Sequence, residues 1–221
     1  MVTRLFLLVA LAFCLAFSAN GQVSVGTSVG ANMSFSRWYI KPLNIDLGYD
    51  PALGYRAAAV ANWHLGSVIA LRAEAGYQIW RNSLDVFFTS SSGTDDVNGT
   101  AHQSFQNWSG SLLANITPFS SKNIYFMAGP TVAVITGAWY SADKSLLEPG
   151  WPATTDIDLK NYNRTQVFAD FGAGVQFPTG TLGNVFAEMR YQLALTDLAG
   201  VSTVNAGINS LGMNVGYLFK L

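Results

Sequence analysis

Apolar and polar side chains alternate along the chain with a period of two residues. From Val23 to Phe35 every second residue is Val, Thr, Ala, Met or Phe, and the positions between them hold Ser, Gly or Asn. A strict period of two predicts a β-strand with one apolar and one polar face. This run of 13 residues is longer than the strands of soluble proteins, which average about five or six residues. It is closer to a tilted strand that crosses a bilayer, which needs roughly 9–11 residues.

The same alternation recurs in seven further segments. The eight predicted strands are residues 23–35, 53–65, 68–80, 108–118, 124–135, 165–177, 184–195 and 206–221. The fifth segment contains Pro130, which predicts either a bulge or a lost ladder hydrogen bond.

The connections between these segments alternate in length. Residues 36–52, 81–107 and 136–164 are long connections and 196–205 is intermediate, whereas 66–67, 119–123 and 178–183 are short. Outer-membrane barrels have short turns on the periplasmic side and longer loops outside. The chain is therefore predicted to be all-β, an eight-stranded antiparallel up-and-down transmembrane β-barrel with four extracellular loops.

The start of the chain is typical of a cleavable signal peptide. Arg4 precedes an apolar block of about 13 residues, and Ala19-Asn20-Gly21 offers small residues to a signal peptidase. We expect residues 1–21 to be removed, which leaves residues 22–221 as the barrel domain. The alternatives are a spanning helix, for which the block is short, and a lipoprotein signal at Cys14, where the preceding residue is larger than usual.

Composition and charge exclude several classes of protein. The formal net charge is −1 and no basic patch is present, so nucleic acid is not an expected partner. The single cysteine leaves with the signal peptide, and neither a disulfide framework nor a thiolate metal site is expected. No mature segment approaches 18 consecutive apolar residues, which argues against a helical inner-membrane protein. We expect no cofactor and no resident metal.

Aromatic residues concentrate towards both ends of the predicted strands. Those near the long connections are Phe35, Trp38, Tyr55, Tyr77, Trp80 and Trp108. Those near the short turns are Trp63, Phe119, Phe126, Phe177, Tyr217 and Phe219. Two aromatic girdles at the level of the lipid head groups are expected.

The polar faces of four strands carry ionisable side chains at mid-membrane depth. Three are basic and three are acidic: Arg56, Arg72, Glu74, Asp170, Glu188 and Arg190. An eight-stranded barrel is just wide enough for its side chains to fill, and an unpaired charge inside it is costly. We predict a plugged, salt-bridged lumen, with a proton or ion relay as the alternative. The opposite orientation, with the apolar faces inside, would give a soluble barrel for an apolar ligand.

The predicted loops contain ten acidic and six basic residues. Asp95-Asp96 and the pair Asp156 and Asp158 could bind Ca²⁺, but they lack the glycine-turned loop of a strong site. His102, with Ser104 and Asp96 nearby in sequence, is the one candidate for lipid-modifying catalysis. No strand-borne triad accompanies it, and we predict that the protein is not an enzyme.

The end of the chain resembles the signal read by the barrel assembly machinery, at Asn214, Gly216, Phe219 and Leu221. Leu71-Arg72-Ala73-Glu74-Ala75-Gly76-Tyr77, Ile116-Thr117-Pro118-Phe119 and Tyr125-Phe126-Met127-Ala128-Gly129-Pro130 are similar to motifs of the "porin family" outer-membrane β-barrel proteins, a PorT-like group. Despite that name, the resemblance implies a small closed barrel. It also permits a link to protein secretion.

These observations predict an integral protein of the outer membrane of a Gram-negative cell envelope. We expect a role in envelope structure or in loop-mediated interaction, with a narrow passive porin or a component of a protein secretion system as alternatives. The expected partners are outer-membrane lipid and lipopolysaccharide, the barrel assembly machinery and an unidentified loop ligand. We expect a monomer.

Overall fold

The computed structural model describes residues 22–89, 96–118, 123–142 and 154–221. The strands are β1 (Val23–Ile40), β2 (Ile45–His64), β3 (Ile69–Thr89), β4 (Asp96–Ile116), β5 (Ile124–Ala142), β6 (Thr154–Asp156), β7 (Thr165–Pro178), β8 (Gly183–Ala194) and β9 (Val204–Lys220). Single 3-10 turns lie at Lys41–Leu43 and Leu159–Asn161. None of the helical elements in these ranges is long and apolar enough to cross a membrane. The predicted signal peptide, residues 1–21, lies outside the described residues.

Every long strand pairs antiparallel with two neighbours, and the sheet closes on itself. The order β4-β3-β2-β1-β9-β8-β7-β5 is completed by pairing of β4 with β5. The seam between β1 and β9 is continuous from Ser24 opposite Lys220 to Ile40 opposite Val204. The predicted eight-stranded up-and-down barrel is therefore confirmed. The ninth strand, β6, was not predicted and adds three residues to the outer end of β5.

The apolar face of each strand points outward. Val29 in β1 and Met213 in β9 are 57% and 67% exposed on the outer surface. Their polar neighbours Ser28 and Asn214 are 2% and 4% exposed and point into the barrel. The soluble barrel with an apolar interior is excluded by this arrangement.

The predicted strand ends were wrong on the outer side. β1 continues to Ile40 and β2 begins at Ile45, so only four residues connect them, where 36–52 was predicted to be a loop. β3 likewise continues to Thr89 and β4 begins at Asp96. Beyond the bilayer both faces of a strand meet water, so ladder hydrogen bonds continue after the alternation has ended. Two of the predicted long loops are mostly tall β-hairpins.

Pro130 interrupts the ladder without shifting it. Ser111 pairs with Thr131 and Ala114 pairs with Ala128 in one register, but the two pairs between them are absent. Proline has no backbone N–H to donate to the neighbouring strand. The lost ladder bond, one of the two predicted outcomes, is observed. The bulge between β4 and β5 lies elsewhere, at Gln106 and Asn107.

The aromatic side chains divide between the outside and the inside of the barrel. Trp108, Tyr55, Phe177 and Phe219 are 52–60% exposed on the outer surface, as expected of girdle residues. The assignment of Trp80 and Trp38 to the girdle was wrong, because Trp80 is 1% exposed and Trp38 packs against the same internal cluster. Trp80 lies an even number of residues from Arg72, and therefore on the inward face. Phe119 lies outside the described residues.

Candidate functional site

The lumen brings together the six ionisable side chains that the polar faces predicted. Arg56 lies on β2, Arg72 and Glu74 on β3, Asp170 on β7, and Glu188 and Arg190 on β8. Each residue is at most 7% exposed. We call these six residues the ion belt. Two strand pairs on opposite sides of the ring supply it, so its ion pairs connect parts of the chain that are distant in sequence.

Glu74 lies at the centre of the ion belt and contacts all three arginines. Its carboxylate oxygens lie 2.6 Å from Arg56 Nη2, 2.6 Å from Arg72 Nε, and 2.7 Å from Arg190 Nη1. A second bond of 2.8 Å joins Arg190 Nη2 to the other carboxylate oxygen. One anion therefore neutralises part of three cations.

The two remaining carboxylates complete the charge balance. Glu188 accepts from Arg72 and Arg190, both at 2.8 Å, and from the hydroxyl of Tyr125 at 2.9 Å. Asp170 lies 3.5 Å from Arg190 Nη1. It also accepts hydrogen bonds from Thr131 at 2.8 Å and from Gln192 at 3.2 Å. Three positive and three negative groups meet here, and buried ions of this kind are tolerated when they are paired and hydrogen-bonded.

A layer of amide groups lies on the outer side of the ion belt. Gln78 Nε2 donates to Gln192 Oε1 at 2.9 Å, and the same oxygen accepts from Ser210 at 3.1 Å. Gln78 and Gln192 belong to strands on opposite sides of the ring. Their hydrogen bond therefore crosses the lumen, as the ion pairs do.

An apolar cluster, the outer plug, closes the lumen above the amide layer. Its buried members are Trp80, Phe105, Ala133, Ile135, Ala138, Leu159, Phe168, Leu198, Ala199, Ala206 and Ile208. Leu159 and Leu198 come from the connections after β6 and β8, and are 8% and 1% exposed. The rings of Trp80 and Phe168 lie 5.2 Å apart. Two extracellular connections therefore fold back into the barrel mouth.

Polar contacts hold these two connections in place. The Asp197 carboxylate accepts from the backbone N–H of Ala199 at 2.9 Å and of Ala206 at 2.7 Å. Asn163 donates to the carbonyl oxygens of Asp197 and Ala199 at 2.8 and 3.0 Å. Sequence reasoning missed the outer plug. The available signal was the large apolar side chain of Trp80 on an otherwise polar face.

On the periplasmic side of the ion belt the lumen narrows and then opens again. Val60, Phe186 and Leu218 form one small apolar cluster, and Leu113, Tyr125 and Met127 form another. The Arg72 guanidinium lies 4.6 Å above the ring of Phe186. Below them is a cavity of about 420 Å³ at the short-turn end of the barrel. We call this cavity the vestibule.

The four residues of the predicted assembly signal lie along β9 and at its end. Asn214 points inward and donates to Glu188 at 3.4 Å, so it joins the ion belt. Gly216 faces the ring of Phe186, which approaches to 2.4 Å of where a Cβ would lie. Phe219 and Leu221 are 55% and 79% exposed on the outside. Their reading by the assembly machinery stays a prediction.

The candidates for catalysis and Ca²⁺ binding do not form sites among the described side chains. His102 lies on β4 opposite Ser83 and Ser141, and Ser104 accepts from Arg81 at 3.3 Å. Asp158 accepts from the backbone N–H of Lys160 at 3.1 Å and pairs with its ammonium at 3.3 Å. Asp95 and the side chain of Asp96 lie outside the described residues.

A closed antiparallel barrel with an apolar outer wall and an ion-paired lumen defines an integral membrane β-barrel protein. The family model described as "Outer membrane protein beta-barrel domain" matches residues 17–200. The chain belongs to this family, and it is a protein of the cell outer membrane.

Several solved structures share the fold. OprG from Pseudomonas aeruginosa is 8% identical with a TM-score of 0.50, over 91% of this chain and 96% of that one. Ail, the attachment invasion locus protein of Yersinia pestis, is 13% identical with a TM-score of 0.38, over 90% and 99%. The outer membrane protease OmpT from Escherichia coli is 10% identical with a TM-score of 0.42, over 90% and 97%. At these identities the likeness concerns the fold alone. No curated protein sequence matches the chain.

Proposed function

We propose that the protein is a closed outer-membrane barrel that acts in envelope structure or in interactions made by its outer hairpins and loops. The filled lumen carries this proposal. Along the barrel axis an apolar plug, an amide layer and the ion belt follow one another, and the central side chains are almost wholly buried. A solute would have to break several ion pairs to pass.

The outer hairpins support the interaction role. The β1–β2 hairpin extends to a tip at Lys41–Leu43, where Leu43 is 65% exposed. Arg37 and Asp46 form an ion pair on its flank. A rigid hairpin holds its exposed side chains at a fixed distance from the membrane, which suits recognition at the cell surface.

Conductance in planar lipid bilayers tests whether the lumen is closed. We expect the purified protein to insert without large, stable single-channel steps. The variant Leu159→Gly combined with Leu198→Gly removes both loop side chains of the outer plug but retains the ion belt, and it should also stay closed. Large, regular steps from the unchanged protein would favour the narrow passive porin instead.

Recognition by the outer hairpins is tested on intact cells. Replacement of residues 41–44 by a Gly-Ser turn shortens the β1–β2 tip without entering the membrane-spanning wall. We expect partners recovered by surface cross-linking and pull-down to be lost from this variant. A matched variant with Thr179 and Thr181 changed to Ser, in a periplasmic turn, should retain them. Identical recovery from both variants contradicts recognition by this hairpin.

Absence of catalysis belongs to the same proposal. Ser104 is hydrogen-bonded to Arg81, which leaves His102 without an activated hydroxyl among its described neighbours. A lipase and lipid A deacylase assay with His102→Ala as the control addresses this directly. Activity that disappears in His102→Ala would overturn it. A part in protein secretion, which the PorT-like resemblance permits, stays a prediction, as do binding to lipopolysaccharide and the monomeric state.

A further inference from the structure

The vestibule at the periplasmic end has the dimensions of a small-molecule site. Its volume is about 420 Å³, and small-molecule pockets commonly measure about 300–1,000 Å³. The polar residues that line it include Asn62, His64, Asn115, Asn123, Tyr125 and Gln176. The apolar clusters and the ion belt close it on the inner side, so it opens only towards the short turns.

Two asparagine side chains in its wall have an oxygen without a partner. Asn62 on β2 and Asn115 on β4 are 4% and 6% exposed. The Oδ1 atom of each is buried and accepts no hydrogen bond. Both asparagines lie on strands that pair with β3, opposite Arg72 and Ala70 respectively. Buried acceptors without a donor are uncommon in folded proteins, and two in one cavity indicate that a donor-bearing ligand completes them.

The charge of the wall narrows the class of ligand. Among the described lining residues there is no Asp or Glu, whereas Lys220 and His64 are present. A cationic ligand would find no counter-ion in this wall. A neutral or anionic ligand is compatible with it.

We propose that the vestibule binds a hydroxyl-rich small molecule, a neutral sugar or a sugar acid. Sugar hydroxyls donate to the Oδ1 atoms of Asn62 and Asn115, and the same hydroxyls can accept from neighbouring amide groups. Lys220 at the rim is placed to pair with an acidic substituent. This site lies at the opposite end of the barrel from the outer hairpins, and it is independent of the proposed surface role.

Saturation-transfer NMR on the protein in detergent micelles tests this site. The probes are N-acetylglucosamine, N-acetylmuramic acid and, as a cation without hydroxyls, hexyltrimethylammonium. We expect saturation transfer to both sugars at about 10 mM, a concentration that detects millimolar affinity, with the acid bound more tightly. Absence of transfer to either sugar, or equal transfer to the cation, would overturn the proposal.

Three variants locate the binding. Asn115→Leu removes one unpaired acceptor at nearly constant volume, and Ala70→Phe fills the vestibule. Asn32→Leu is the matched control, because Asn32 is an inward-facing asparagine that is also 4% exposed but does not line the cavity. We expect a roughly tenfold or greater loss of sugar affinity in the first two variants only. Circular dichroism selects folded samples, and equal sugar binding by Ala70→Phe and Asn32→Leu would contradict the assignment.

Discussion

Glu74 of β3 and Arg190 of β8 form a two-point ion pair across the lumen. Arg190 Nη1 and Nη2 lie 2.7 and 2.8 Å from the two carboxylate oxygens. The two residues are 116 positions apart in sequence, and both side chains are at most 2% exposed. The pair therefore ties the β2–β3 hairpin to the β7–β8 hairpin through the centre of the barrel.

Glu74→Gln should destabilise the barrel strongly. The amide has nearly the same shape, but it leaves three buried arginines facing two carboxylates. Removing one partner of a buried ion pair typically costs about 3–5 kcal/mol, and we expect a loss of this order in the free energy of unfolding. Urea unfolding in micelles, followed by tryptophan fluorescence, measures it.

The control for Glu74→Gln is Asp46→Asn on the β1–β2 hairpin. Asp46 pairs with Arg37, whose side chain is 79% exposed, and exposed ion pairs contribute little to stability. Asp46→Asn should unfold at the same urea concentration as the unchanged protein. Equal unfolding midpoints for Glu74→Gln and Asp46→Asn would contradict a stabilising role of the ion belt.

Gly174→Ala should destabilise the barrel through Tyr125. A Cβ at position 174 would lie 2.5 Å from Tyr125 Cζ, so the ring must move, and its hydrogen bond to Glu188 is lost with it. Overpacking of this kind costs typically about 1–3 kcal/mol. The matched variant is Gly110→Ala, where the nearest atom is the Glu74 carbonyl oxygen at 3.9 Å. Thermal unfolding, read from the heat-modifiable migration on gels, should show a loss for Gly174→Ala and none for Gly110→Ala.

Leu198→Ala should loosen the connection that carries Leu159. Leu198 is 1% exposed in the outer plug, and truncation of a buried leucine costs about 2–5 kcal/mol. We expect faster tryptic cleavage after Lys160 and Arg164, measured by mass spectrometry on intact cells. Val201→Ala, at a residue that is 40% exposed, is the control. Cleavage at the same rate in both variants would show that Leu198 does not anchor this connection.

The outer tyrosine Tyr140 should titrate late. Burial, with a smaller contribution from Tyr162, raises the pKa of Tyr140 to about 12 from its ordinary value of 10. The folded protein therefore holds this proton more tightly than the unfolded chain does. The resulting stability is complete below pH 10 and is lost as the pH rises from 10 through 12. Absorbance titration near 295 nm should show one tyrosine fewer in the late phase of Tyr140→Phe, and an unchanged late phase would disprove the assignment.

The membrane-spanning wall was predictable because the bilayer imposes a simple rule on it. Lipid forces every second side chain to be apolar, so the strands around Val29 and Met213 can be read directly from the sequence. The six charged residues followed from the same rule, since a charge on these strands has only the inside to occupy. The rule ends where the lipid ends, and for this reason the outer half of β2 and the end of β3 were missed.

The outer plug could not be predicted because its parts are brought together only by the closed ring. Leu159 and Leu198 lie in connections without any periodic pattern, and nothing local shows that they turn inward. Trp80 and Phe168 face each other only after β3 and β7 take their places in the ring. The unpaired oxygens of Asn62 and Asn115 are equally invisible in sequence, because hydrogen-bond satisfaction depends on the complete set of neighbours.

The ion belt also determines how the strands are aligned along one another. A strand that slides by two residues keeps its apolar face towards the lipid, because the side-chain period is two. The hydrocarbon environment therefore cannot distinguish the correct alignment from one displaced by two residues. The match between Glu74 and Arg190 can, since such a displacement would separate the two charges. The buried charges act as a gauge for the stagger of the barrel, a quantity to which the surrounding lipid is blind.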